Sequence, residues 1–118
     1  MNTTGTAAAR LLSPDLMLEP VEPDGGSDAL ATADRVLGSP GRRASTLGGH
    51  TIGLWEAGPG NDVDVESDEL FLVLSGSGTV TFDDGSSVDL QPGVLVELHE
   101  GDRTTWVISE RLRKLYLA

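Results

Sequence analysis

From Thr46 onward the chain reads as short apolar runs divided by turn-forming residues, a pattern that predicts strands. The candidate strands are Thr51 to Glu56, Val63 to Val65, Leu70 to Ser75, Thr79 to Phe82, Ser87 to Leu90, Val94 to Leu98, Thr104 to Ser109 and Arg113 to Leu117. Between them stand Gly58-Pro59-Gly60-Asn61, Gly76-Ser77-Gly78, Asp83-Asp84-Gly85, Gln91-Pro92-Gly93 and Glu100-Gly101-Asp102. Gly and Asp supply the positive φ of tight hairpins, and turn signals every roughly 8–12 residues belong to an antiparallel sandwich or barrel. An all-β domain follows. Alternation in Thr79-Val80-Thr81-Phe82 puts Val80 and Phe82 on one face, and in the last third Thr104, Trp106 and Ile108 share one face while Arg103, Thr105 and Val107 share the other.

The first part of the chain lacks this pattern. Residues 1–26 are small, polar or interrupted by Pro14, Pro20 and Pro23, which predicts an N-terminal arm. Its apolar stretch, Leu11, Leu12, Leu16, Met17 and Leu18, suits docking on a sheet or a partner as well as a loose tail. Asp28 to Leu37 fits a turn or two of helix, capped by Ser27 or Asp28 and stopped by Gly38-Ser39-Pro40-Gly41. The predicted organisation is an arm over 1–26 and a β domain over 27–118.

Composition then narrows the function classes. A chain of 118 residues makes one domain with a modest core, and the absence of cysteine excludes disulfides, thiolate nucleophiles and cysteine-ligated metals. Residues 1–50 carry four basic and six acidic side chains and the remainder four and 13, so the β-forming part holds -9 of the net -11. Scattered basic residues on an acidic chain argue against nucleic acid as a partner. No run approaches the roughly 20 apolar residues of a membrane span, and the start lacks the pattern of a secretion signal, so no membrane partner and a cytoplasmic location are expected.

One run, Asp62 to Gly76, carries a more specific signal: a carboxylate, Glu69, stands seven residues before Gly76, with Asp62 and Asp64 upstream. This resembles the first signature of the cupin β-barrels, in which two histidines occupy the positions of Asp62 and Asp64. Further matching pieces are Gly53-Leu54-Trp55-Glu56, Gly58-Pro59-Gly60, Val80 to Gly85, Pro92-Gly93, Gly101 with Thr105-Trp106-Val107, and Leu112-Arg113-Lys114-Leu115-Tyr116. Together they make the segment from Val36 to Leu117 similar to the small single-domain cupins related to the ureidoglycine aminohydrolase cupin domain. The resemblance implies a cupin jelly-roll β-barrel, commonly paired into a homodimer. A second cupin signature, read from Gly93, keeps Gly101 but has His99 where proline is expected and Thr104 where the last metal-binding histidine would stand, so three of the four ligands the resemblance implies are changed.

These departures leave two readings. In the first, the chain is a metal-independent binding barrel, with Trp55, Phe82, His99, Thr104 and Trp106 as ligand-binding candidates and a small neutral or cationic molecule as partner. No metal cofactor is then expected, because Fe, Ni and Zn favour nitrogen donors. In the second, it is an enzyme on small metabolites resembling the ureidoglycine enzymes, with Glu69 as catalytic acid/base and Asp62, Asp64 and Glu69 offering oxygens to Mn, Mg or Ca. Plainer roles compete with both: Asp62 and Asp64 on a wet rim, Trp106 as core, His50 and His99 on the surface, and Gly76-Ser77-Gly78 as a hairpin turn with no phosphate loop.

Overall fold

A computed structural model describes residues 4–23 and 36–118. In chain order its elements are α1 (Thr4–Arg10), β1 (Glu22–Pro23), β2 (Val36–Leu47), β3 (His50–Val65), β4 (Glu69–Phe82), β5 (Ser87–Leu90), β6 (Leu95–Leu98) and β7 (Arg103–Leu117). The strands pair antiparallel in the order β1-β2-β3-β7-β4-β5, and β6 also pairs with β4. The fold is the all-β jelly-roll that the resemblance implies. The helical turns expected over Asp28 to Leu37 fall outside the described residues except at Val36 and Leu37, which open β2.

Several predicted breaks are continuous strand. β3 absorbs two predicted strands and the Gly58-Pro59-Gly60-Asn61 segment between them, through a register shift between Ala57 and Gly60. A bulge accommodates Pro59, which cannot donate to a ladder. β4 likewise runs through Gly76-Ser77-Gly78, so that segment is no hairpin turn. Gly76 has φ 90, and a Cβ there would lie 2.0 Å from the Arg111 carbonyl oxygen, so the glycine is needed for the strand to pass close to β7. Gly38-Ser39-Pro40-Gly41, predicted to stop a helix, lies inside β2. The β2–β3 hairpin turns on Gly48-Gly49, both at positive φ (57 and 81), the two-residue geometry that matches strand twist.

The inward face follows the alternation. Val80, Thr104, Trp106 and Ile108 are buried, and with Phe71, Val73, Leu90, Val96, Leu98, Leu112 and Tyr116 they account for most of the core. The arm crosses the outer face. Leu11, Leu12 and Leu16 border an apolar groove of about 400 Å³ over Ile52, Gly53, Leu54 and Leu115. Polar ties hold it there: Glu19 pairs with Arg43, and Arg113 donates from Nη1 to the Leu16 carbonyl at 2.7 Å. Arg113 and Arg111 both grip Glu56, at 2.8 and 2.7 Å. Burial alone would raise the Glu56 carboxyl, but the hydrogen bonds and charges of the two arginines overcome it and hold its pKa below the ordinary value.

Candidate functional site

The end of β7 alternates Leu112, Lys114 and Tyr116 toward the interior, because the strand is paired on both edges and its outward positions are taken by Arg113 and Leu115. Lys114 is in register with Trp55 on β3 and Val73 on β4, and is only 8% exposed. Its Nζ donates to Glu69 Oε2 at 3.0 Å. It also stands over three rings, 4.6 Å from the centroid of Phe71, 4.7 Å from Trp106 and 5.1 Å from Trp55. The rings brace one another, with centroids 5.3 Å apart for Phe71 and Trp106 and 6.4 Å for Trp55 and Trp106. Negative ring faces and a carboxylate together replace much of the hydration the ammonium gives up.

A second carboxylate lies beside this box. Glu66 accepts hydrogen bonds from Thr104 Oγ1 at 3.0 Å and Trp106 Nε1 at 3.3 Å, and the same indole N–H also reaches Thr104 Oγ1 at 3.1 Å. Burial pushes the Glu66 pKa up and the charge of Asp64 adds to it; the Thr104 and Trp106 hydrogen bonds and the Lys114 charge only partly offset that rise. The interior thus holds a charge-compensated pair, Lys114 with Glu69, next to a carboxyl that takes up a proton more readily than usual.

Of the residues singled out by sequence, the structure brings Glu69, Trp55, Thr104 and Trp106 together. Phe82 packs on the edge of the same core, in register with Thr104. His99 is exposed, its Nε2 lies 3.6 Å from Glu97 Oε2, and with His50, Asp68 and Glu97 it borders a depression of about 380 Å³ that meets the lysine box only at Glu69. Asp62 and Asp64 share the inner face, opposite Trp106 and Thr104, and stay partly exposed.

Among the described residues no three His, Asp or Glu side chains converge as a metal-binding group. The donor set also fits a metal poorly. Glu69 is engaged by an ammonium that would repel a cation, and the Thr104 hydroxyl is given to Glu66.

Sequence reasoning missed Lys114 and Glu66, and both left a trace. Lys114 is the only lysine in the chain, the other seven basic residues being arginine. Glu66 continues the alternation of Asp62 and Asp64 toward the inner face.

Comparison with known proteins places the chain. The model of the EutQ-like cupin domain matches residues 44–116. No curated protein matches the chain. Among solved structures it is similar to the Clostridium difficile EutQ protein, at 21% identity and TM-score 0.67 over 89% of this chain and 83% of that one. A cupin superfamily protein of Desulfitobacterium hafniense DCB-2 aligns at 17% identity and TM-score 0.63, over 92% and 90% of the two chains. Ectoine synthase from P. lautus aligns at 12% identity and TM-score 0.64, over 91% and 76%. These likenesses concern the fold, whereas the domain match spans well over half of the sequence: this chain belongs to the EutQ-like cupin domain family.

Proposed function

We propose that the protein is a metal-independent cupin barrel that binds a small molecule, with Trp55, Glu66, Glu69 and Phe82 each partly exposed and so within reach of a ligand. The observation that carries this reading is the commitment of Glu69 to Lys114 at 3.0 Å. The position that would otherwise offer a carboxylate to a metal is neutralised within the chain. Apolar walls with a few orienting polar groups, here Thr104, Glu66 and the ammonium, suit a small-ligand site.

Elemental analysis of untagged protein tests the metal half of the proposal. Fe, Ni and Zn are expected well below one equivalent, and a stoichiometric metal would overturn it. Titration with ureido compounds, sugars, amines and organic acids, followed by tryptophan fluorescence, tests the ligand half. Absence of any saturable response would sink it.

A second reading is an enzyme on small metabolites, similar to the ureidoglycine aminohydrolase cupins. It is supported by the raised pKa of Glu66, poised beside Thr104 and Trp106 for acid/base work with Glu69. Product formation from a ureido compound would favour it.

A further inference from the structure

The chain has five aromatic residues and one lysine, and three of those aromatics surround that lysine's ammonium. Ring faces combined with a carboxylate are how proteins recognise free organic ammonium ions. We propose that the box of Trp55, Phe71, Trp106 and Glu69 is an organic-ammonium site whose resident ligand is the protein's own Lys114. The reading rests on the binding-barrel proposal and narrows its ligand class: a site already filled by a tethered cation excludes free cations and admits an uncharged guest.

Three observations support this assignment. Lys114 sits within β7, in register with Trp55 on one side and Val73 on the other, so its stem enters the box from a fixed wall. An ammonium is compact enough to lie about 5 Å from three ring centres at once, which a planar guanidinium would do less well, and every other basic residue of the chain is arginine. Among the described residues the ammonium makes one hydrogen bond, to Glu69, while three ring faces lie within about 5 Å and the Glu66 carboxyl is near enough to feel its charge. A ring face is a weaker acceptor than a carbonyl oxygen, so among uncharged guests an amide or urea oxygen suits the ammonium best. A second cation would meet the Lys114 charge, and an anion would meet Glu69 and Glu66.

The experiment removes the tethered ligand and supplies a free one. Ethylammonium is titrated into the full-length protein and into Lys114→Ala, with fluorescence read from Trp55 and Trp106, the only two tryptophans and both part of the box. Lys114→Ala is expected to bind ethylammonium saturably and at least about tenfold more tightly than the parent, and Glu69→Gln added to it to weaken that binding about tenfold again. Equal responses of parent and Lys114→Ala, or none from either, would overturn the assignment. Should Lys114→Ala fail to fold, the parent protein decides: carbon-13 lysine labelling yields one side-chain signal set, and its ε-methylene protons are expected well upfield from the ring currents. An ordinary surface-lysine position would refute the box. No uncharged guest enters these measurements, so their outcome is independent of the search for a ligand.

Discussion

Removing both partners of the Lys114–Glu69 pair should cost no more than removing either one alone. The atoms lie 3.0 Å apart and the side chains are 10% and 22% exposed. At an effective dielectric of about 20 the attraction is roughly 5 kcal/mol before desolvation is subtracted. Stripping one charge from a buried pair leaves the other uncompensated, at about 3–5 kcal/mol. For Glu69→Gln the three ring faces still hold the ammonium and the amide oxygen still accepts, which puts the loss near the lower end, about 3 kcal/mol. For Lys114→Met the stem volume is kept and the partly exposed carboxylate can be rehydrated, so about 2 kcal/mol is expected. The double variant carries no buried charge and should lose only about 1–2 kcal/mol, giving a coupling energy of about 3–4 kcal/mol. Chemical denaturation at pH 7, followed by tryptophan fluorescence and far-ultraviolet circular dichroism, measures all four corners of the cycle. Because the pair is buried, 1 M salt should barely change the coupling. A coupling below about 0.5 kcal/mol, the scatter found for independent sites, would refute the view that these groups hold each other in place.

Glu66 gives a pH signature of opposite sense to an ordinary salt-bridged carboxylate. Its folded-state pKa lies above the ordinary value of 4.5, so its contribution favours folding below that value and is lost as pH rises through the folded pKa. Glu66→Gln should therefore be more stable than the parent at pH 7 and close to it at pH 4, and a greater loss at pH 7 than at pH 4 would contradict the assignment. Gly76→Ala combines a positive φ with a Cβ 2.0 Å from the Arg111 carbonyl oxygen and should cost more than about 3 kcal/mol. Gly85→Ala, with open space around its Cβ, should cost only about 1–2 kcal/mol, and similar midpoints for the two variants would refute the close-approach account. We also propose a homodimer, supported by the exposed apolar row Ile52, Leu117 and Leu70 with Leu95 beside it on the outer face. Light scattering that gives a monomer mass at micromolar concentration would refute it.

Alternation along single strands was legible in the sequence, because a side chain's face depends only on its neighbours two residues away. That is why Thr104, Trp106 and Ile108 fall on one face before any pairing is known, a face the structure buries, and why Asp83-Asp84-Gly85 and Gln91-Pro92-Gly93 read correctly as breaks between strands. Gly76-Ser77-Gly78 was not distinguishable from them, since glycine serves a hairpin and a bulge equally well. Only the passage of Arg111 against Gly76 decides which it is. The same holds for the chemistry. Glu69, Trp55 and Trp106 stood out by type and spacing, whereas Lys114, between Arg113 and Leu115 near the end of the chain, reads locally as a surface cation. Its ammonium enters the interior because β7 is flanked by β3 and β4, which bring Trp55 and Phe71 from opposite sides of the sheet order and Glu69 from the start of β4. Period-two alternation is a property of the backbone and is written in the residue order; the partner that neutralises a buried charge comes from a distant strand, and only the tertiary structure supplies it.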